Sequence, residues 1–165
     1  MTHETSRPDG GDKITAAAHG SDDPSRQMAG MLEEFVERVP GVTHALLISR
    51  DGLRMVDSGI HKDWADKWAA SLATLASLAE NVPGPRGGAA PMKQTVVERD
   101  DGMLFVSIAG TSAAFPNQPG NKDGVVATVL AVITEPEASA GTVGYEMGLL
   151  VDRFAPYMVA AVRSA

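Results

Sequence analysis

The sequence predicts an α/β domain of the α+β class, in which helices cover a five-stranded, mainly antiparallel sheet. Three observations support this prediction: two strand–turn–strand patterns, a long amphipathic helix between them, and a further amphipathic helix at each end. Together they give the element order α-β-β-α-β-β-β-α. Because a helix joins the two hairpins, the strands pair mainly antiparallel and the helices lie on the faces of the sheet.

The composition limits the class of protein. The 165 residues suffice for one domain and a tail, and the 44% hydrophobic content suffices for a core. Aliphatic and methionine side chains must fill that core, because aromatic residues make up only 5% of the chain. A formal net charge of −7 argues against a nucleic-acid partner, since phosphate binding requires a basic patch.

The chain contains no cysteine, which excludes disulfides, thiol catalysis and cysteine-ligated metal. Its N-terminal residues lack the apolar segment of a signal peptide, and no later apolar run is long enough to span a bilayer. We therefore expect a cytoplasmic protein without direct membrane insertion, which reaches a membrane only if a partner recruits it.

A polar tail precedes the first predicted helix. Residues 1–23 are rich in Gly, Asp, Ser, Thr and Ala without hydrophobic periodicity, so we expect a disordered tail, followed by one domain over residues 24–165. Pro24 directly after Asp23 is typical of a helix start. Apolar residues at helical spacing then run from Met28 to Val39, where Pro-Gly ends the helix.

Two Asp-Gly turns mark the predicted hairpins, because this dipeptide tolerates the positive φ of a tight turn. The predicted strands are Val42–Arg50, Leu53–Ser58, Met92–Glu98, Met103–Ala109 and Val125–Thr134. The third strand is polar enough for a sheet edge, whereas the fifth is the most hydrophobic and should be central. We interpret His44, inside the first strand, as a packed or surface residue rather than a ligand.

The long middle helix, Lys62–Val82, carries two stripes. Large apolar side chains form the first, which we predict to cover the sheet: Trp64, Trp68, Leu72, Leu75, Ala79 and Val82. Small side chains form the second, in which Ala70, Ala73 and Ser77 lie with Thr74 beside them. Such a ridge lets a second helix approach closely, although alanines are also good helix formers on a solvated face.

A polar loop and a last helix complete the chain. The loop, Thr111–Gly124, precedes the fifth strand, and the helix is predicted over Thr142–Val162. Pro156 removes one backbone donor within this helix, which should bend near Asp152–Phe154.

The sequence lacks the common catalytic and nucleotide-binding patterns. It has no Gly-x-x-x-x-Gly-Lys-Ser/Thr phosphate loop, and Asn121-Lys122-Asp123 differs from a guanine-reading motif because its Asp is one position early. His61 and Asp63 lie close in sequence, but no second cluster supplies further metal ligands. We therefore predict no enzyme activity, no cofactor and no metal site.

Several local strings resemble one protein family. The segments LEEFVERVPGVTHALLISRDGLRMVDSG, KQTVVERDDGMLFVSIAG and GTVGYEMGLLVDRF resemble the Roadblock/LC7 domain, in particular its actinobacterial conservon-type branch. The resemblance runs from Met28 to Arg163. Its most specific parts are the combination of Val39–Val42 with Ser49–Leu53, and the segment Gly144–Met147.

The resemblance implies that the middle helix covers one face of the sheet and that the first and last helices cover the other. It also implies a homodimer, in which the third strands pair edge to edge and the middle helices lie side by side. On this basis the candidate dimer-interface residues are Ala70, Ala73, Ser77, Met92, Gln94 and Val96. Asp66 and Thr74, on the same helix, are the candidate partner-binding residues.

Members of this family act as non-enzymatic platforms for small Ras-like GTPases, and some accelerate GTP hydrolysis. Conservon members are encoded beside a small GTPase and a sensor-kinase-like protein. The resemblance therefore implies a regulator or scaffold of a small GTPase in a bacterial signalling complex. Two alternatives stay open: a small-molecule-sensing module, which needs a sizeable cavity, and a passive assembly subunit.

Two features depart from the family pattern. The loop Thr111–Gly124 is longer than the short turn expected there, and no arginine can be assigned as a finger that enters a GTPase site. The candidates in or near loops are Arg50, Arg54, Arg86 and Arg99, whose placement near a nucleotide requires a complex.

Overall fold

The computed structural model describes residues 23–112 and 126–158 of the chain. The helices and strands of these residues follow the predicted order: α1 Pro24–Arg38, β1 Val42–Ser49, β2 Arg54–Asp57, α2 Lys62–Asn81, β3 Gln94–Arg99, β4 Gly102–Ser112, β5 Val126–Thr134 and α3 Ala140–Met158. The predicted order of elements is confirmed.

The five strands form one antiparallel sheet with the strand order β2-β1-β5-β4-β3. Its central strand is β5, whose side chains are buried except for Ala127 and, in part, Ile133. The two edges are β2 and β3. The predictions of a central fifth strand and an edge third strand are therefore confirmed.

The sheet separates two hydrophobic cores. On one face, α1 and α3 pack through Phe35 and Phe154 against Phe105, and on the other face α2 packs through Leu72 against Val106 and its neighbours. Successive residues of a strand point to opposite faces, which is why adjacent strand residues belong to different cores. One helix on one face and two on the other is the arrangement that the family resemblance implied.

Local chemistry sets the ends of α1. The Asp23 carboxylate accepts a hydrogen bond from the Ser25 N–H at 3.1 Å, and Pro24 occupies the first helical position. The helix ends at Arg38, and Gly41 turns the chain with φ of +85°. This turn leads directly into β1 and places α1 against the sheet.

Gly102 begins β4 at a point where no side chain fits. Its φ is +153°, and a Cβ atom built there would collide with the carbonyl oxygen of Thr134 on the central strand β5. The glycine thus allows the β3–β4 turn to lie directly against the sheet.

Some predictions lie outside the described residues. These are the disordered tail apart from its last residue, the loop from residue 113 to residue 124, and the last helix beyond Met158. Thr111 and Ser112, which were assigned to the loop, are instead the end of β4. Pro156 lies inside α3, which runs unbroken from Ala140, and the bend near Asp152–Phe154 stays a prediction. Within the described part of the chain, no helix has the length and hydrophobicity that a bilayer crossing requires.

Candidate protein-interaction surface

Helix α2 faces the sheet mainly with small residues. Its buried side chains are those of Ala65, Ala69, Leu72, Ala73 and Ala76. Alanine side chains let the helix backbone lie close to the strands, whereas an indole ring between the two would hold them apart. The prediction that the large stripe covers the sheet is therefore wrong for its two ends, where Trp64 and Val82 are 56% and 65% exposed.

The small-residue ridge of α2 packs against the β1–β2 turn of the same chain. Gly52 in that turn has φ of +89°, and a Cβ atom there would lie 3.2 Å from the Ala70 Cα and 3.8 Å from the Ala73 Cβ. Ala73 is 4% exposed and belongs to the core under α2. The β1–β2 turn thus uses the close approach that a small ridge allows, and the place of Ala73 in a dimer interface stays a prediction. Ala70 is exposed and Ser77 half-buried, and their place in a dimer stays a prediction.

Large apolar side chains protrude from the opposite flank of α2. Trp64, Leu78 and Val82 are 56%, 61% and 65% exposed, and Leu75 beside them is half-buried. At ~100° per residue these four side chains share an arc of about 60°. We call them the α2 flank. Clustered exposure of large apolar side chains is typical of an interaction surface.

An aromatic cluster lies at the N-terminal end of the α2 flank. The rings of Trp64 and Trp68 are 6.1 Å apart, the ring of His44 lies 4.8 Å from Trp68, and the Lys67 Nζ lies 5.4 Å from the Trp64 ring. Burial against this cluster lowers the pKa of His44. His44 thus packs against an aromatic ring, as we interpreted it from the sequence.

The candidate partner-binding residues Asp66 and Thr74 lie on the outer surface of α2. The Asp66 carboxylate lies 3.4 Å from the Arg54 Nε, and its side chain is 52% exposed. The Thr74 hydroxyl donates to the Ala70 carbonyl at 2.9 Å and is exposed. Both side chains are accessible, and their contact with a partner stays a prediction.

The free edge of β3 is a second open surface. The Ile108 N–H donates to the Lys93 carbonyl at 3.2 Å, so the backbone groups of Lys93 face β4. Because these groups alternate in direction along a strand, those of Gln94, Val96 and Glu98 point away from β4. Val96 is 44% exposed in addition. Two of the candidate dimer-interface residues, Gln94 and Val96, thus carry backbone groups that no strand of the described residues pairs at this edge.

Met92 does not belong to the β3 edge. Its side chain is 8% exposed and lies in the core under α2, and its N–H donates to the Glu80 Oε1 at 3.3 Å. Met92 is thus buried within the protomer, and its place in a dimer interface stays a prediction.

Glu80 ties α2 to the segment that precedes β3. Its carboxylate accepts two hydrogen bonds from the Arg50 guanidinium, one of them at 3.0 Å, and a third from the Met92 N–H. The hydrogen bonds from Arg50 and then from Met92 lower the pKa of Glu80, and the same pairing raises the pKa of Arg50. The network fixes the start of β3 relative to the end of α2.

Three of the four loop arginines form ion pairs with carboxylates of the same chain. Arg50 pairs with Glu80, Arg54 with Asp57 and Asp66, and Arg99 with Asp101. Arg86 differs, because no acid within the described ranges lies at ion-pair distance from it. It occupies a turn in which the Gly87 N–H donates to the Gly84 carbonyl at 2.9 Å.

The described residues give little support to a small-molecule or metal site. An open cleft of about 570 Å³ lies between the start of β1 and the start of α3, and it has no aromatic wall; its lining includes Pro40, Thr43, Glu135 and Thr142. Across residues 23–112 and 126–158, no group of three His, Asp or Glu side chains could hold a metal ion. The two open surfaces, by contrast, are suited to another polypeptide.

The fold and its two open surfaces define an α+β domain with an apolar helix flank and an unpaired sheet edge. The family model described as the Roadblock/LC7 domain matches residues 28–115. The chain belongs to the Roadblock/LC7 domain family, and the resemblance inferred from the sequence is confirmed. A search of curated proteins finds no match.

Solved structures give the same assignment. A Roadblock/LC7 domain from Streptomyces avermitilis is 36% identical, with a TM-score of 0.65 over 80% of this chain and 98% of that chain. A second one from the same organism is 30% identical, with a TM-score of 0.56 over 77% and 97%. The gliding protein MglB from Thermus thermophilus shares the fold at 19% identity, with a TM-score of 0.62 over 82% and 90%.

Proposed function

We propose that this protein is a non-enzymatic, homodimeric regulator or scaffold of a small Ras-like GTPase in a bacterial signalling complex. The observation that carries the proposal is the pair of open surfaces, the β3 edge and the α2 flank, in a member of the Roadblock/LC7 family. Both surfaces require a polypeptide partner to bury apolar area or to pair backbone groups.

The second copy of the chain is the partner that fits the β3 edge. An unpaired strand edge is self-complementary under a two-fold axis, because each copy supplies the same donors and acceptors to the other. Three of the four side chains of the α2 flank, Trp64, Leu78 and Val82, are more than half exposed, so two such flanks can bury each other beside the paired strands. Full burial of a side chain the size of Leu78 or Val82 contributes about 1.5–3 kcal/mol.

The family resemblance implies that a small GTPase is the other partner. The exposed outer surface of α2, with Asp66 and Thr74, offers it polar contacts next to the apolar flank. With a net charge of −7, the chain repels a free nucleoside triphosphate, so any effect on GTP acts through the partner. Holding the GTPase switch segments in their hydrolysis-competent state would accelerate turnover without an inserted arginine.

The passive assembly subunit is the second candidate, and the ion pairs of the loop arginines favour it. Arginines that are neutralised within the chain are poorly suited to stabilise charge in a GTPase site. Arg86 is the exception, so Arg86→Ala tests whether this residue acts in the GTPase site. A large loss of stimulated hydrolysis in this variant would identify Arg86 as an inserted arginine, whereas unchanged stimulation would exclude that role for Arg86.

The test uses the purified chain and a small Ras-like GTPase of the kind that is encoded beside conservon members. Size-exclusion chromatography with light scattering measures complex formation, and single-turnover GTP hydrolysis with increasing amounts of the chain measures stimulation. We expect the two proteins to form a complex. A hydrolysis rate that rises to saturation would identify a regulator, whereas a constant rate would identify a passive scaffold. Saturable heat on titration of the isolated chain with GTP would contradict the proposal.

A further inference from the structure

We propose that a groove beside α3 is a docking site for a basic amphipathic helix of another protein. The groove lies on the face of the sheet that α1 and α3 cover, which is the face opposite α2. It is therefore separate from the α2 surfaces described above. The inference adds a further partner and does not depend on the homodimer or on the GTPase.

The groove is open and has a volume of about 440 Å³. Its floor is formed by Ser107 and Ile108 of β4, and its wall by residues of α3: Gly144, Tyr145, Gly148, Leu149, Val151 and Asp152. Between the first and the last of these wall residues the helix rises by about 12 Å, a little more than two turns. The groove is thus long enough to receive a short stretch of a second helix.

Two large side chains of α3 project beside the groove. Tyr145 is 69% exposed, and Leu149, one turn later, is 42% exposed. The buried face of α3 is filled by other residues, among them Val143, Met147 and Leu150. Exposed neighbours of this size are typical of an interaction surface, where tyrosine is enriched.

The described part of the protomer does not require glycine at position 148. At Gly144 it does, because a Cβ atom there would lie 3.0 Å from the Gln94 Oε1. A Cβ atom at Gly148 would meet no described heavy atom within 4 Å, although glycine destabilises a helix interior relative to alanine. A glycine that the fold does not require exposes the helix backbone, which lets a second helix approach closely.

The backbone around the groove is already hydrogen-bonded, and this selects the form of the occupant. Helix α3 bonds its own backbone groups, and β4 is paired with β3 on one side and β5 on the other. In the floor, the Ser107 hydroxyl donates to the Lys93 carbonyl at 3.2 Å. An extended peptide would find few backbone partners here, whereas a helix satisfies its own. The groove therefore suits a helix with an apolar stripe.

The charge of this face determines the charge of the partner. Helices α1 and α3 together carry five acidic residues and three arginines. Two of the arginines are paired, Arg38 with Glu146 at 2.9 Å and Arg153 with Glu34 at 3.2 Å. Asp152, in the groove wall, has no cation of the described residues at ion-pair distance. Lysine or arginine beside the apolar stripe of a partner compensates this charge, whereas a second copy of this face or an anionic membrane adds like charge.

Three synthetic peptides of about 18 residues probe the groove. The first has leucine at the helical positions i, i+3, i+4 and i+7 and lysine elsewhere. The second has glutamate in place of each lysine, and the third has the composition of the first in scrambled order. Fluorescence anisotropy of the labelled peptides measures their affinity for the full chain, and amide NMR shifts of the chain locate the binding site.

We expect the lysine peptide to bind and to shift the amide signals of Tyr145, Gly148 and Leu149 more than those of the α2 flank. The glutamate peptide should bind at least about 10-fold more weakly, because its charge has the same sign as this face. The scrambled peptide should also bind more weakly, because it has no apolar stripe to place in the groove.

Gly148→Leu tests the groove itself, with Gly30→Leu on α1 as the matched control. Both glycines are exposed, lie inside helices on the same face of the sheet, and leave open space for a Cβ atom. Both variants should fold at least as stably as the unmodified chain, which thermal unfolding measures, because leucine is the better helix former. Leucine at position 148 should weaken binding of the lysine peptide about 10-fold, and leucine at position 30 should leave it unchanged. Tyr145→Ala, which removes an exposed ring, should weaken binding as a second variant.

Several results would overturn the docking site. These are no binding of the lysine peptide up to about 1 mM, equal affinity for Gly148→Leu, equal affinity of the glutamate peptide, or larger shifts in the α2 flank. A lower mass of Gly148→Leu than of the unmodified chain by light scattering would assign the groove to a second copy. Binding to phosphatidylglycerol vesicles that Gly148→Leu abolishes would assign it to a lipid surface. None of these results concerns stimulated GTP hydrolysis, so the function proposed above would stand.

Discussion

The two edges of the sheet differ in length and in regularity, two features that govern pairing with another strand. The β2 edge has four residues, its pairing with β1 is interrupted between Leu47 and Ile48, and Arg54 pairs with Asp57 at 2.8 Å. The β3 edge has six residues in unbroken register and an exposed Val96. Short, bulged and charged edges discourage association, whereas a long regular edge permits it. The chain thus closes one edge and leaves the other available.

Helix α2 shows the same difference between its two flanks. Ala70 and Ala73 receive the β1–β2 turn at Gly52, and Arg54 and Asp66 add an ion pair beside it. The opposite flank carries Trp64, Leu78 and Val82, which the described residues leave more than half exposed, with the half-buried Leu75 between them and the core. The closed flank stabilises the protomer, and the open flank is free for another chain.

The largest effect is expected from Ala73→Arg on the closed flank. The long charged side chain has no room beside Gly52, so the free energy of unfolding should fall by about 3 kcal/mol. The matched change on the open flank, Leu78→Arg, should alter stability by less than about 1 kcal/mol while it weakens dimerisation. Urea unfolding and light scattering measure the two effects. Equal stability of the two variants would show that the flanks do not differ.

Val96→Pro should have the next largest effect, which concerns dimer affinity and leaves the fold of the protomer intact. Proline removes an N–H that faces away from β4, so the protomer keeps its own hydrogen bonds. Each copy of the variant loses one hydrogen bond to the other copy, and the loss of two bonds should raise the dimer dissociation constant about 100-fold. Sedimentation equilibrium measures this change, with Val96→Thr as the control that retains the N–H. A dimer of unchanged affinity would exclude pairing through β3.

The two tryptophans should separate stability from association. Trp68 is half-buried against His44, so Trp68→Ala should cost about 2 kcal/mol, less than a fully buried tryptophan. Trp64→Ala should cost less than about 1 kcal/mol in stability and should weaken binding to a second copy or to the GTPase. Chemical unfolding and titration calorimetry measure these effects. A stability loss for Trp64→Ala as large as that for Trp68→Ala would place its ring in the core.

The smallest expected effect concerns the contribution of Asp57, on the β2 edge, to the stability of the fold in acid. Burial of the Asp57 carboxylate opposes ionisation, but hydrogen bonds from the Ile60 N–H, the Arg54 guanidinium and the Gly59 N–H outweigh it and lower the pKa. A lowered folded-state pKa contributes stability above the ordinary value of about 4, and this stability is lost as the pH falls through the folded-state pKa. Asp57→Asn should therefore be less stable at neutral pH.

The same variant should lose less stability than the unmodified chain when the pH falls below about 4. Glu80, whose pKa is also lowered, retains its contribution in both proteins, so the acid-induced loss should be reduced rather than abolished. Thermal unfolding from pH 7 to pH 3 provides the measurement. Parallel curves for the two proteins would show that Asp57 does not contribute to the acid response.

The order of elements and the roles of the strands could be predicted because they depend on local chemistry. The Asp-Gly turns fix two hairpins, since few other residues adopt the positive φ that these turns require. The polar residues before Val96 indicate an edge strand, and the hydrophobic run that ends at Thr134 indicates the centre. These patterns act over a few residues and need no knowledge of distant contacts.

The candidate site could be predicted only in part. Gln94 and Val96 lie at the edge that the polarity of the third strand predicts, whereas the side chain of Met92, two residues before Gln94, lies in the core under α2. The ends of the large apolar stripe of α2 are exposed and Ala73 is buried, which contradicts the prediction from a helical wheel that the large side chains cover the sheet. A wheel ranks side chains by hydrophobicity, whereas the distance between α2 and the sheet selects for small volume.

Local sequence patterns are sufficient to specify a five-stranded α+β sheet with an edge third strand, because turns, periodicity and polarity are properties of a few neighbouring residues. Which flank of α2 is closed, and which loop arginines are paired, follows only from the folded chain. Those outcomes depend on residues far apart in the chain, such as Gly52 against Ala73 and Arg50 against Glu80. Their distances are set by packing, which no local pattern encodes.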